Sequence, residues 1–101
     1  MKKLESTEEW TQFLAESGFK VAIVTTDWCG VCKRLIKSVD KADLEVSFVQ
    51  IVSSTISSFR TEHKITTYPT VCLFDGGSMK EMVTTSKLDV IMEMLNPYFN
   101  K

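Results

Sequence analysis

A chain of 101 residues has room for one hydrophobic core, since compact domains usually hold roughly 100–150 residues, so 1–101 is read as a single domain. With 44% hydrophobic, 10% aromatic and 25% charged residues, the composition excludes extended disorder and fibrous repeats and points to a packed globular protein. Twelve basic against thirteen acidic residues leave a net charge of -1, which supplies no field to recruit nucleic acid.

Met1-Lys2-Lys3 is followed by Glu5, Glu8 and Glu9 where a signal peptide needs its apolar segment, so no export signal is expected. No apolar run reaches the roughly 18–20 residues of a membrane span, and no membrane association is expected. Three cysteines are too few, and odd in number, for a secreted disulfide framework, which points to the reducing cytoplasm.

Lys2-Lys3-Leu4 is long enough only for a small edge strand. Ser6-Thr7-Glu8-Glu9 matches a capping box, in which the Ser6 hydroxyl and the Glu9 carboxylate each satisfy a backbone N–H of the first turn, so a helix is expected from about Thr7. Trp10, Phe13 and Leu14 form its apolar stripe and Gly18 supplies a stop. Phe19 to Thr25 is apolar and β-branched without alternation, the pattern of a central strand covered on both faces.

Beyond it, Cys32, Leu35, Ile36 and Val39 recur at i, i+3, i+4 and i+7, giving a helix with Lys33, Arg34 and Lys37 outside. Val46 to Val52 reads as a strand, and Ser53-Ser54-Thr55 as the cap of a short helix through about Glu62. After Tyr68-Pro69, a strand over Thr70 to Phe74, the turn signal Asp75-Gly76-Gly77 and a returning strand over Met79 to Thr84 form a hairpin. Ser86 and Asp89 suggest a second cap, for a helix burying Leu88, Ile91, Met92 and Leu95 and ending at Pro97. The order β-α-β-α-β-α-β-β-α predicts an α/β fold, a sheet of four to five strands with an antiparallel edge, between helices on both faces.

At the junction of the apolar strand and its helix stands Trp28-Cys29-Gly30-Val31-Cys32. A CxxC at such a junction reads as a redox dithiol. Cys29, just ahead of the first helical turn, faces unpaired N–H groups and the positive end of the helix dipole, which stabilise a thiolate, so it is the expected nucleophile. Cys32, one turn on and on the inward face, is the expected resolving thiol. Gly30 permits a tight turn and the close approach of a partner.

On these residues the chain resembles the thioredoxin family. Trp28-Cys29-Gly30-Val31-Cys32 is similar to that family's Trp-Cys-Gly-Pro-Cys signature, and Tyr68-Pro69-Thr70 to the proline loop opposite it. The resemblance implies the thioredoxin fold and a protein-disulfide reductase that works without a bound cofactor. It further implies that electrons come from a thioredoxin reductase or another thiol donor and pass to disulfide-containing proteins. Trp28 is then expected to shield the dithiol and touch substrate. Pro69 is expected to be cis, leaving the Tyr68 backbone free to pair with an extended substrate segment. A monomer suffices for this chemistry.

The chain departs from the family at four positions. Val31 replaces the signature's proline and removes its rigid φ, which makes a less strongly reducing protein the expectation. Ile23 stands where the family has a buried aspartate that helps move the resolving thiol's proton, and Gln50 where it has a lysine; Asp27 is then the nearest carboxylate. Thr85 aligns with a family glycine beyond the hairpin. These losses keep a second reading open, a thioredoxin-like binding module whose dithiol does little. A third is a structural zinc site, for which Cys29, Cys32, His63 and Cys72 make a formal Cys3His set, against the simpler reading of Cys72 as a small core residue.

Overall fold

The computed structural model describes residues 1–27, 29–42, 44 and 46–99. Along the chain run β1 (Lys2–Leu4), α1 (Thr7–Ala15), β2 (Phe19–Thr25), α2 (Gly30–Ala42), β3 (Ser47–Val52), α3 (Ser57–Glu62), β4 (Thr70–Asp75), β5 (Ser78–Thr84) and α4 (Leu88–Phe99). The strands form one mixed sheet in the order β1-β3-β2-β4-β5. β1 and β2 each pair with β3 in parallel, while β4 runs antiparallel to both β2 and β5.

β2 takes the central place because it can afford no exposed face. Ala22 and Val24 pack on one side with Trp10 of α1 and Phe59 of α3, and Val21 and Ile23 on the other with Leu35 and Val39 of α2 and Ile91 and Leu95 of α4. A strand whose alternate residues enter two different cores has no polar side to show, which is why its sequence lacks alternation. Trp10 organises the first layer, its ring edge-on to Phe59 at 4.9 Å and to Phe74 at 5.0 Å. Truncating such an aromatic to alanine costs about 3–5 kcal/mol. No helix among the described residues is long and apolar enough to cross a membrane.

Local signals set most element ends, with several corrections. The Ser6 hydroxyl accepts the Glu9 N–H at 3.1 Å, but the Glu9 carboxylate reaches one residue further back than a standard box, accepting the Glu5 N–H at 2.9 Å. α1 stops at Ala15, three residues before Gly18. Ser53-Ser54-Thr55 does not cap α3, whose N-cap is Ile56 without a side-chain bond; the N–H groups of Thr55 and Ile56 turn back onto the Val52 carbonyl instead. Gly76 and Gly77 have φ of 58° and 88°, as a two-residue hairpin turn with the sheet's twist requires.

α4 also differs from its sequence reading. The Thr85 hydroxyl, not Ser86, accepts the Lys87 N–H at 3.1 Å ahead of the first turn. The helix continues through Pro97 to Phe99, and the rings of Tyr98 and Phe99 pack edge-on against Phe19 at 5.7 and 4.8 Å. Met92 is 42% exposed because the inward stripe runs through Leu88, Ile91, Leu95 and Tyr98 and leaves it outside.

Candidate active site

β2 ends at Thr25, and the chain crosses Thr26 and Asp27 before α2 begins at Gly30. Cys29 holds the N-cap position of α2: its carbonyl accepts the Lys33 N–H at 3.3 Å, and its Sγ accepts the Cys32 N–H at 3.1 Å. Three residues of separation bring the second sulfur up on the same turn, with the Cα atoms 5.2 Å apart, and Cys29 and Cys32 are joined in a disulfide. Cys29 is half-buried whereas Cys32 is 2% exposed beneath it. Cys29 is therefore the more accessible residue of the pair.

The neighbouring residues divide. Val31, in the first turn of α2, is 38% exposed beside the disulfide. A Cβ on Gly30 would meet nothing within 4 Å and its φ is an ordinary one, so the turn itself does not require glycine. Trp28 lies outside the described residues. The Tyr68–Pro69 peptide is cis. Thr70 pairs with Val24, which puts Pro69 at the end of the sheet from which the Cys29 loop emerges. The Pro69 carbonyl accepts the Thr85 N–H at 3.2 Å, whereas the Tyr68 N–H and C=O make no backbone hydrogen bond among the described residues. The Tyr68 ring lies with the core on the α1 and α3 side of the sheet.

Under the disulfide a cavity of about 100 Å³ is lined by Cys29 and Cys32 together with Lys3, Thr25, Asp27 and Gln50, among others. Ile23 points to the same face of β2 as Thr25 and is fully buried against Leu35. The polar neighbours are a neutral pair, with Gln50 Nε2 donating to Thr25 Oγ1 at 3.0 Å, the exposed Asp27 carboxylate, which accepts the Ser54 hydroxyl at 2.9 Å, and the side chains of Lys3 and Lys33. Lys3 has no signal in the local sequence. It reaches the cavity only because β1 pairs beside β3, with Lys3 opposite Gln50.

The formal Cys3His set is not assembled. The His63 ring lies tilted against Phe59 at 4.6 Å and edge-on to Phe74 at 5.8 Å, and Cys72 is buried in β4 opposite Ala22. No group of three His, Cys, Asp or Glu side chains among the described residues is placed to hold a metal ion. Burial pushes the Cys72 thiol up to about 12, so it stays protonated.

A family model described as Thioredoxin matches residues 2–97. A curated thioredoxin of Chlamydia caviae is 28% identical over 102 residues, spanning 97% of this chain and 99% of that protein. Among solved structures, Chlamydomonas reinhardtii thioredoxin f2 superposes with a TM-score of 0.88 at 21% identity, covering 100% of this chain and 98% of that one. The oxidised thioredoxin of Plasmodium falciparum gives a TM-score of 0.86 at 18% identity, covering 97% of each chain.

Proposed function

The chain belongs to the thioredoxin family, and from that premise we propose that it is a protein-disulfide reductase working through the Cys29/Cys32 dithiol. The observation that carries the reading is the disulfide at the start of α2, between a half-buried Cys29 whose sulfur accepts an N–H and a buried Cys32. In the reduced protein the Cys29 thiolate, stabilised by the Cys32 N–H and the helix dipole, attacks one sulfur of a substrate disulfide. The other substrate sulfur leaves as a thiolate and takes a proton from water. Cys32 then gives up its proton to water and attacks the Cys29 sulfur of the mixed disulfide, expelling the second substrate sulfur as a thiolate that takes a proton back from water. Two electrons have passed to the substrate, and the protein holds the Cys29–Cys32 disulfide.

A thioredoxin reductase or another thiol donor returns the two electrons. Gly30, Val31, Tyr68 and Pro69 serve substrate binding, as the family resemblance also implies for Trp28, and the Tyr68 N–H and C=O, which make no backbone hydrogen bond among the described residues, are available to an extended segment. The protein acts as a one-domain monomer in a reducing cytoplasm and needs no bound cofactor. Insulin reduction driven by dithiothreitol tests the reading. Turnover by the wild type that disappears in Cys29→Ser and Cys32→Ser supports it, and a folded wild type without turnover leaves the binding-module reading, which the apolar, fully buried Ile23 on the same strand face as Thr25 favours.

A further inference from the structure

α3 ends in a pair of closing bonds, the Lys64 N–H to the Thr61 carbonyl at 3.4 Å and the Ile65 N–H to the Arg60 carbonyl at 3.0 Å. This closure places Lys64 at φ 55°, the only non-glycine residue with positive φ among those described. Glycine ordinarily takes that position because a Cβ is sterically disfavoured there. A lysine held in such a backbone invites a reason in its side chain.

The side chain has one. An open groove of about 390 Å³ is lined by Arg60, Thr61, Lys64, Ile65, Thr66 and Tyr68. Ile65 is buried at its floor, the Tyr68 ring forms a half-buried wall, and Arg60 and Lys64 are exposed. No carboxylate among the described residues lines it, although Glu62 stands on the same helix. The ion pairs among the described residues join the Met1 ammonium to Asp40, Lys2 to Glu9 and Lys20 to Glu16, and none engages Arg60 or Lys64. In a chain of net charge -1, this is a local concentration of unneutralised cations beside apolar and hydroxyl-bearing walls.

Tyr68 connects the groove to the dithiol end of the sheet, since it precedes Pro69 and supplies a wall of the groove. A substrate segment paired to the Tyr68 backbone, as in the reading above, would carry its flank into the groove. We propose that the groove selects substrates whose scissile disulfide is flanked by an acidic segment, with Arg60 and Lys64 as the specificity-determining cations. The inference rests on the reductase reading and deepens it by naming the chemistry of the substrate.

The test uses two synthetic peptides with the same disulfide loop, one flanked by three glutamates and the other by three lysines. Each rate with the reduced full-length protein is divided by that variant's own rate on bis(2-hydroxyethyl) disulfide, which is uncharged. The wild type is expected to prefer the acidic peptide about tenfold at low salt, and the preference should shrink towards unity at about 0.5 M NaCl, where screening reaches a few ångströms. The double variant Arg60→Glu/Lys64→Glu is expected to invert the preference. Lys64→Gly relieves the backbone, so it should melt no lower than the wild type while losing roughly two- to threefold of the preference.

Equal rates on the two peptides in the wild type overturn the proposal, as does a wild-type preference that the double variant leaves intact. A Lys64→Gly protein with the full preference removes Lys64 from it. If no form reduces the uncharged disulfide, the reductase reading itself falls and takes the groove's role with it; a full rate there with no charge preference removes the groove's role alone.

Discussion

Cys29 and Cys72 carry the same side chain in opposite surroundings. Cys29 sits half-buried at the start of α2, its sulfur accepting an N–H at 3.1 Å. Cys72 lies in β4 between Ala22 and Met82, among Trp10 and Phe59, where burial pushes its thiol up to about 12. A thiolate forms where donors and water can hold the charge, and the centre of a sheet offers neither. On the proposed reading the contrast makes one cysteine a reagent and the other a packing unit, and it can be broken or sharpened by experiment.

The largest expected effect separates the two directly. Cys29→Ser should lower insulin reduction by at least about a thousandfold, as removal of an acting nucleophile does, while Cys72→Ala should change it less than about twofold. Comparable losses in both variants would end the distinction. The next effect concerns the buried strand face that leads to Thr25 at the dithiol cavity. Ile23→Asp puts a carboxylate into a fully buried site and should cost about 3 kcal/mol or more in urea unfolding at neutral pH. In the same protein, resolution of a trapped mixed disulfide should speed up about tenfold near pH 7 by stopped-flow, because a base then stands near Cys32. An unchanged or slower single turnover would show that the reactive pair gains nothing from a buried acid.

A smaller effect reads Cys72 through pH. Its thiol is raised from an ordinary 9.0 to about 12, so between these values the folded protein keeps a proton that the unfolded chain has released. The associated stability is complete below pH 9 and is lost as pH rises towards 12, at about 1.4 kcal/mol per pH unit. Urea titrations across that range should fall less steeply for Cys72→Ala, which itself costs about 1 kcal/mol at neutral pH through the lost sulfur. Parallel slopes would mean that Cys72 ionises freely. The smallest effect belongs to the loop. Val31 lies in the first turn of α2, where proline is tolerated, so Val31→Pro should fold normally and shift equilibration with glutathione about tenfold towards the disulfide, near 30 mV. No shift would remove Val31 from the control of redox poise.

Much of this arrangement is legible along the chain wherever a local pattern has a single physical solution. Phe19 to Thr25 has no polar side to expose, so it could only be central. The spacing of Cys29 and Cys32 placed both sulfurs on one helical turn, and the two glycines after Asp75 could only turn a hairpin. Met92 falls outside the core although the sequence stripe includes it, because the 3.6-residue period allows two neighbouring faces and only packing against β4 and α2 chooses between them. Ser53 to Thr55 and Ser86 looked like caps, but a hydroxyl caps only if the chain enters the helix at the right angle.

The sequence by itself determined the order of elements, the identity of the central strand and the pairing of Cys29 with Cys32, because each follows from interactions between residues a few positions apart. It could not bring Lys3 beside Gln50 under the disulfide, hold Lys64 in a left-handed turn or set Arg60 and Tyr68 around one groove. Those placements depend on which strands become neighbours and how a helix end closes. They are decided by the burial of whole faces, which no window of the sequence contains.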